Sequence, residues 1–476
     1  MKNINIDIDN ILLLVDSYKA GHDKCYNPKV DKVYSYLEAR GGRFPKTVFF
    51  GLQYFLKKYL MGQVVTKEKI DQAEDFWAKH FGRTDYFDRK LWDNIVEKYN
   101  GYLPILIKAV PEGTLLPVKN VLITIENTGG KDTRWLVNFV ETLLVEVWYP
   151  TVIATQSYYI KQDILGYLER TGNPTEINFK CHDFAFRGVT CPEQAGLGAA
   201  AHLVSFMGTD TVRGIQILQK YYDAEMCGYS IPATEHSVMC SFGRDGELLA
   251  CENFLDKFPE GLIACVSDTY DIYNCCEHIW GGVLKDKVMA RKGTLVVRPD
   301  SGDYLEIVPK VLDILWNKFG GTVNNKGFKV LDSHVRVIQG DGMNPFTINK
   351  LYDRLEALKW SADNLAVGSG GGLLMQVNRD TTETAFKASA VFIDGKWVDV
   401  WKDPVTGSGK KSKRGRLALA YCGNSFITVR EEDCVFSDDV LHTVFENGKL
   451  LVDWTLDEVK ANLAQSEAMV KEEVVI

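Results

Sequence analysis

Arg298-Pro299-Asp300-Ser301-Gly302 sets a guanidinium and a carboxylate two residues apart in a turn-forming sequence. The guanidinium can fork onto a phosphate, and the carboxylate can accept ribose hydroxyls or hold Mg2+ through water. An ion-paired turn is the plainer alternative. Gly340-Asp341-Gly342 repeats the theme, with a carboxylate between residues that let a ligand come close. Gly368-Ser369-Gly370-Gly371-Gly372 could turn backbone N–H groups toward a phosphate, or simply form a tight turn. It is not a dinucleotide fingerprint, because Leu373 stands where the third glycine would fall. Gly407-Ser408-Gly409-Lys410-Lys411-Ser412 fails the spacing of a nucleotide-binding P-loop and reads as a basic loop.

His182-Asp183-Phe184-Ala185-Phe186-Arg187-Gly188 adds rings and an arginine. An exposed ring there can stack on a planar heterocycle while the arginine pairs with an anion, or the rings can be core. Ser267-Asp268-Thr269-Tyr270-Asp271 offers two more carboxylates, one of them suited to capping a helix. His236, beside Glu235 in a run of small residues, could be structural or catalytic. Taken together, these residue types suit a phosphorylated sugar.

Each cluster follows a short apolar run: Ile177–Lys180, Leu262–Val266, Thr294–Val297, Val335–Ile338 and Leu365–Val367. Helical patterns lie between them, at Leu305–Phe319 and Thr347–Trp360. Strand, polar loop and helix in repetition describe a parallel α/β domain, either a barrel or an open sheet. Ligands of such domains sit at the carboxyl ends of the strands, so the loops should converge. This region, 177–384, is the expected catalytic domain. Residues 1–176 mix helix and strand, with helical spacing over Phe50–Leu60 and short strands over Leu103–Thr128. They are expected to form a second α/β domain completed by 385–476, which is strand-rich and basic and ends in a polar helix from Leu456.

The chain has 476 residues, 46% of them hydrophobic and 25% charged, which accommodates two or three domains. A net charge of -8 gives no general attraction to nucleic acid or anionic membrane, so an anionic substrate needs local cations. The 11 cysteines include no Cys-x-x-Cys pair, which points to free thiols in a reducing cytoplasm. No stretch has the length and apolarity of a signal peptide or membrane span.

In order and at close spacing, the chain carries His182-Asp183-Phe184-x-x-Arg187-Gly188, Gly208-Thr209-Asp210-Thr211, Pro232-Ala233-x-Glu235-His236-Ser237, Ser267-Asp268-x-Tyr270-Asp271, Arg298-Pro299-Asp300-Ser301-Gly302, Gln339-Gly340-Asp341-Gly342 and Gly368-Ser369-Gly370-Gly371-Gly372-Leu373-Leu374. Asp16-Ser17-Tyr18-Lys19 and Lys402-Asp403-Pro404 extend the match toward both ends. This set resembles the nicotinamide phosphoribosyltransferases, of the type II phosphoribosyltransferase family. The resemblance implies an irregular α/β barrel plus a discontinuous, strand-rich α/β domain, in a cytoplasmic homodimer with active sites at the interface. It implies NAD salvage, in which nicotinamide and phosphoribosyl pyrophosphate give nicotinamide mononucleotide. Mg2+ would assist, through ligands that stay unassigned, and ATP would be a co-substrate that phosphorylates His236.

Carried over by residue, the resemblance puts Phe184 on one face of the pyridine ring and Tyr18 of the partner subunit on the other. Asp210 accepts from the carboxamide, and Arg187, His236 and Arg298 hold the pyrophosphate. Asp300, Gly340 and Asp341 bind the ribose side, and Gly371 and Arg379 lie near the 5′-phosphate, with Gly370 also in the substrate-binding set. Ser267 belongs to the substrate-binding set. His236, Asp300 and Asp341 form the catalytic group, and Lys387, Lys402 and Lys413 are further basic contributors, Lys413 lying in a run that aligns in two ways. The sequence departs from the family at Ala185, Phe186 and Thr234, where Gly, Tyr and Ala are familiar, and has a compact Arg40–Pro45 segment. A nicotinate phosphoribosyltransferase and a non-catalytic ligand-binding regulator are the competing readings. Asp210 speaks against the first, because it would repel the nicotinate carboxylate.

Overall fold

A computed structural model describes residues 6–404, 412–435 and 438–471. The basic run Lys410–Arg416 is thus described only from Ser412 onward, and most of the Gly407–Ser412 loop lies outside the described residues. The chain divides into two compact units. Unit 1 comprises Met1–Thr155, Lys220–Ala224 and Val377–Ile476, and unit 2 comprises Gln156–Gln219 and Glu225–Gln376.

Unit 2 is built on parallel strands β1 (Cys181–Asp183), β2 (Ile263–Val266), β3 (Leu295–Arg298), β4 (Val335–Gln339) and β5 (Leu365–Ser369), in the order β1-β5-β4-β3-β2. Their apolar runs are buried nearly throughout, as expected of a parallel sheet covered on both faces. The edges are then joined through short bridging segments. Asp183 N–H donates to Gly208 O (3.1 Å), Thr209 N–H to Tyr229 O (3.0 Å), and Ala264 N–H to Pro232 O (2.9 Å). The parallel bridges Asp183↔Thr209, Gly208↔Tyr229 and Ala233↔Ala264 complete the circuit. The sheet is therefore an irregular barrel with its edges paired. These bridging segments stay short because Gly208, Gly228 and Pro232 interrupt them, and proline has no N–H for a ladder. Ala264, Val296 and Ile338 form the inner cluster, with Phe184, Ile231 and Ala366 packed against it.

Helices return the chain between strands. Tyr304–Phe319 starts at Asp303, whose carboxylate accepts from Leu305 N–H (2.9 Å), and it buries Val308, Val311, Leu312 and Leu315 at helical spacing. Pro345–Ala357 begins with an Asn344–Thr347 capping box and proline at its first position. One strand expectation is corrected. Ile177–Lys180 does not form the first strand; Pro174–Phe179 is a tight helical turn capped by Asn173, and the strand is Cys181–Asp183. Asn173-Pro174 is a helix-start signal that overrides the apolar run after it.

The unit boundaries also differ from those expected at 176/177 and 384/385. Helix Trp148–Thr171 changes unit at 155/156. Its later part is tied into unit 2 by Gln156 Nε2 donating to Leu373 O (2.8 Å) and by Ser157 Oγ bonding His202 Nδ1 (2.9 Å).

Unit 1 carries a seven-stranded sheet, antiparallel throughout, in the order 396–399, 385–393, 30–38, 121–127, 105–109, 442–446, 449–450. Segments distant in sequence thus share one sheet, with Val30–Glu38 paired to Ala385–Ile393. Short segment 220–224 joins this unit through a buried carboxylate. Glu112 accepts from Gly51 N–H (2.8 Å), Gln53 N–H (2.6 Å) and Tyr222 Oη (2.8 Å). Gln53 in turn donates to Tyr221 O and Trp454 O. Burial pushes the Glu112 carboxyl above its ordinary pKa, against the pull of those donors. Glu112→Ala should strand three buried donors and cost about 2–4 kcal/mol. Thermal melting should fall by several degrees, and an unchanged melting temperature would show that this hub does not hold unit 1 together.

Candidate active site

The polar strand ends of unit 2 open on one cavity of about 720 Å3, lined by Phe184, Arg187, Asp210, Arg298, Asp300, Gly340, Asp341, Gly370 and Gly371 among others. Four of the five expected loops meet there, joined by the Asp210 segment, whereas Ser267, Asp268 and His236 are not among the lining residues. A second space of about 650 Å3 runs along the apolar barrel interior past Ile231, Val296 and Ile338. Phe184, Asp210, Ala233 and Arg298 line both.

Phe184 extends from the end of β1, where its N–H donates to Ser369 O (3.0 Å). Asp183, beside it, turns inward: its carboxylate accepts from Ala185 N–H (2.8 Å) and Thr209 Oγ1 (2.9 Å). Burial pushes the Asp183 carboxyl upward. It therefore shapes the loop that presents Phe184 and Arg187. Asp210 emerges exposed at the next bridging segment, and its Oδ1 accepts from Ser230 Oγ.

His236 opens a short helix, His236–Cys240, after the chain leaves the barrel wall. Thr234 sets that departure. Its N–H donates to Ala264 O (3.0 Å), and its hydroxyl accepts from Val266 N–H (3.0 Å), standing in for the ladder carbonyl that the departing chain no longer supplies. His236 Nε2 bonds Asp268 Oδ1 at 3.0 Å, and Nδ1 faces Asp300 Oδ2 at 3.9 Å. Asp268 Oδ2 accepts from Asp300 N–H (3.0 Å) and Ser301 Oγ (2.5 Å). One carboxylate thus holds the histidine and the Arg298–Gly302 loop in register.

Arg298 Nη2 lies 3.8 Å from Asp300 Oδ2. The Asp300 carboxyl sits above its ordinary pKa, first through burial and then through the neighbouring Asp268 and Asp341 charges, with Arg298 and His236 pulling the other way. Carboxylates facing one another around this loop suit a cation. No group of three or more His, Cys, Asp or Glu among the described residues is placed to hold a metal alone. The set fits an Mg2+ that arrives with substrate phosphate and takes one or two carboxylates.

Not every predicted residue faces the cavity. Ser267 is buried at 1% exposure, its hydroxyl donating to Cys265 O (2.9 Å) and accepting from Trp280 Nε1 (3.1 Å). Its hydrogen bonds are made inside the fold. Asp271 caps the following helical turn, accepting from Tyr273 and Asn274 N–H. Tyr18 and Arg379 lie in unit 1, Tyr18 with 55% of its surface exposed. Ser230, and Asp268 in its role of orienting His236, were missed in the sequence. The signal for Asp268 was its place at a strand end opposite His236; for Ser230 there was none.

The chain matches the nicotinate phosphoribosyltransferase (NAPRTase) family over residues 179–449 and the nicotinamide phosphoribosyltransferase N-terminal domain over 10–107. It is 46% identical over 465 residues to a nicotinamide phosphoribosyltransferase of Xanthomonas campestris pv. campestris, covering 96% of this chain and 98% of that one. The chain belongs to the nicotinamide phosphoribosyltransferase family. A second family member, from Acinetobacter baylyi, is 33% identical, covering 96% of this chain and 97% of that one. The fold is similar to that of nicotinate-nucleotide pyrophosphorylase from Pyrococcus furiosus, with TM-score 0.64, 16% identity and full coverage of both chains. It is also similar to human nicotinic acid phosphoribosyltransferase, with TM-score 0.58, 15% identity and 97% and 95% coverage.

Family membership draws attention to the cations of unit 1. Lys387 is half-buried, with Nζ bonded to Phe386 O (2.8 Å). Burial pushes its ammonium below the ordinary lysine range; Arg40, Lys402 and Arg379 push it further, against Glu141. Arg40 was missed in the sequence, where its loop was noted only for length. Lys413 is paired with Glu38, which also takes Arg40 Nε at 3.0 Å. An anion at this cluster raises the Lys387 pKa toward normal, so anion affinity is full below the pKa of the empty site and falls as pH rises through it. Calorimetric titration with inorganic pyrophosphate should show this alkaline loss, and Lys387→Met should flatten it. An identical pH profile in the variant would remove Lys387 from the anion site.

Proposed function

We propose that this protein is a nicotinamide phosphoribosyltransferase, joining nicotinamide to phosphoribosyl pyrophosphate to give nicotinamide mononucleotide and pyrophosphate, in NAD salvage. The observation that carries this reading is the Asp210 carboxylate at the cavity mouth shared with the Phe184 ring. A pyridine stacked on Phe184 can donate its carboxamide N–H to Asp210, which Ser230 steadies. Nicotinate in the same pose would set two carboxylates against each other.

The reaction asks for positioning and charge more than for a base. The C1–oxygen bond of the ribose breaks, its electron pair leaves with pyrophosphate, and the pyridine nitrogen lone pair forms the new bond to C1. Arg187 and Arg298 hold the departing anion, while Asp300, Gly340 and Asp341 take the ribose side, and the Gly370–Gly371 backbone faces the 5′-phosphate. Bound Mg2+ would be held by Asp300 and Asp341 with the substrate and would neutralise pyrophosphate charge.

ATP serves as co-substrate by phosphorylating His236. Asp268 on Nε2 fixes the proton there and leaves the Nδ1 lone pair to attack the γ-phosphorus, with ADP carrying off the electrons of the broken P–O bond. The enzyme works as a homodimer with sites at the interface. The partner subunit's Tyr18 covers the second ring face, and the unit 1 cations, Arg379 and Lys387 among them, add to phosphate binding. The cytoplasm is the matching compartment: all 11 cysteines are free, and no single helix among the described residues is long and apolar enough to cross a membrane.

Purified protein with phosphoribosyl pyrophosphate and Mg2+ should turn over nicotinamide far faster than nicotinate. Asp210→Ala should lose roughly 10- to 100-fold in kcat/KM for nicotinamide, the worth of one charged hydrogen bond. Preference for nicotinate would sink the assignment. ATP should stimulate the rate and label His236. In Asp268→Asn that stimulation should fall at least tenfold, while the ATP-independent rate changes only a few-fold; equal losses in both rates would deny Asp268 its role in orienting the histidine.

A further inference from the structure

Gly368 lies within β5, paired to His182 of β1, and its backbone is that of an ordinary strand, outside the left-handed region. Nothing in its conformation calls for glycine. Its side-chain space does. A Cβ at this position would stand closer than 3.0 Å to Phe184 Cε2, Cδ2 and Cζ. The aromatic ring lies directly on the glycine, in the volume that any other residue would fill. Gly340, at the end of β4, borders the same ring at ordinary contact distance, its Cβ position 3.9 Å from Phe184 Cδ2. His182, two residues earlier on β1, is seated in the same manner on Gly208. The two rings that flank Asp183, His182 and Phe184, are therefore each seated on a glycine of a neighbouring segment.

We infer that Gly368 is a positioning residue for the base: by lacking a side chain it seats the Phe184 ring against the barrel wall and so sets the width of the slot in which the pyridine stacks. The inference rests on the reading that Phe184 stacks on the base. With a methyl group at 368, the ring must retreat on the order of 1 Å or more to reach carbon contact separations of about 3.5–4.0 Å. Phe184 borders both cavities, and the space open to the displaced ring is the slot itself. The phosphate-facing groups Arg187, Asp300 and Asp341 are untouched by this movement.

The test is a double-mutant cycle on Gly368→Ala and Phe184→Leu, reading KM for each substrate and thermal melting. Gly368→Ala should raise KM for nicotinamide about tenfold or more and leave KM for phosphoribosyl pyrophosphate within about twofold. Phe184→Leu alone should also raise KM for nicotinamide. Adding Gly368→Ala to Phe184→Leu should then cost little further, because leucine lacks the rigid ring atoms Cε2 and Cζ and can turn its Cδ methyls away from position 368. If Phe184→Leu leaves nicotinamide KM unchanged, the stacking reading itself fails. If Phe184→Leu raises it and Gly368→Ala has the same full effect on either background, or moves both substrates alike, the seating inference is overturned. Should Gly368→Ala fail to fold alone, the double variant is expected to fold and melt near Phe184→Leu; if it does not fold, the clash lies elsewhere and the inference falls.

Discussion

The carboxylate of Asp268 holds two segments of the site at once. One oxygen takes His236 Nε2, and the other takes the Asp300 N–H and the Ser301 hydroxyl. A histidine at the start of a five-residue helix has few local restraints of its own. The shared carboxylate gives it a direction and a tautomer, and ties that direction to the loop bearing Arg298 and Asp300. A group that orients two neighbours in a partly buried setting acts as a network, in which loss of one bond loosens the others. The geometry of the site around His236 depends on this contact.

That contact exists because the barrel closes. β2 and β3 deliver Asp268 and Asp300 side by side, whereas His236 arrives from a bridging segment held by single ladder bonds. Thr234 makes the arrangement workable. Its hydroxyl satisfies Val266 N–H at the point where the chain turns outward, so the histidine can leave the wall without orphaning a buried donor. The same economy appears on the other side of the cavity, where glycines in place of side chains leave room for the rings of β1.

These features were unequally visible in the sequence. Strands whose apolar runs end in Arg-Pro-Asp-Ser-Gly, Gly-Asp-Gly or Gly-Ser-Gly-Gly-Gly are legible, because the period, the turn residues and the functional groups coincide. The bridging segments at 207–209 and 229–233 are not. Their pairing is a few bonds long and is set by the closing of the sheet, which no local pattern encodes. Ser267 and Asp268 show the same limit at single-residue scale. They follow β2 in succession, and the serine turned to Trp280 while the aspartate turned to His236. The apolar run at 177–180 misled for a different reason, since the capping chemistry of Asn173-Pro174 outweighs it. Ser230 could be found only through space, opposite Asp210.

A net charge of -8 makes capture of a polyphosphate a local problem. Within unit 2 the Arg298 guanidinium at the cavity is already faced by Asp300. Such pairing keeps the empty site tolerable, but it blunts the attraction for an anion. In unit 1 the Lys387 ammonium is depressed by burial and then by Arg40, Lys402 and Arg379, although Arg40 itself pairs with Glu38. Crowded cations are a cost in the empty protein that a bound anion would relieve.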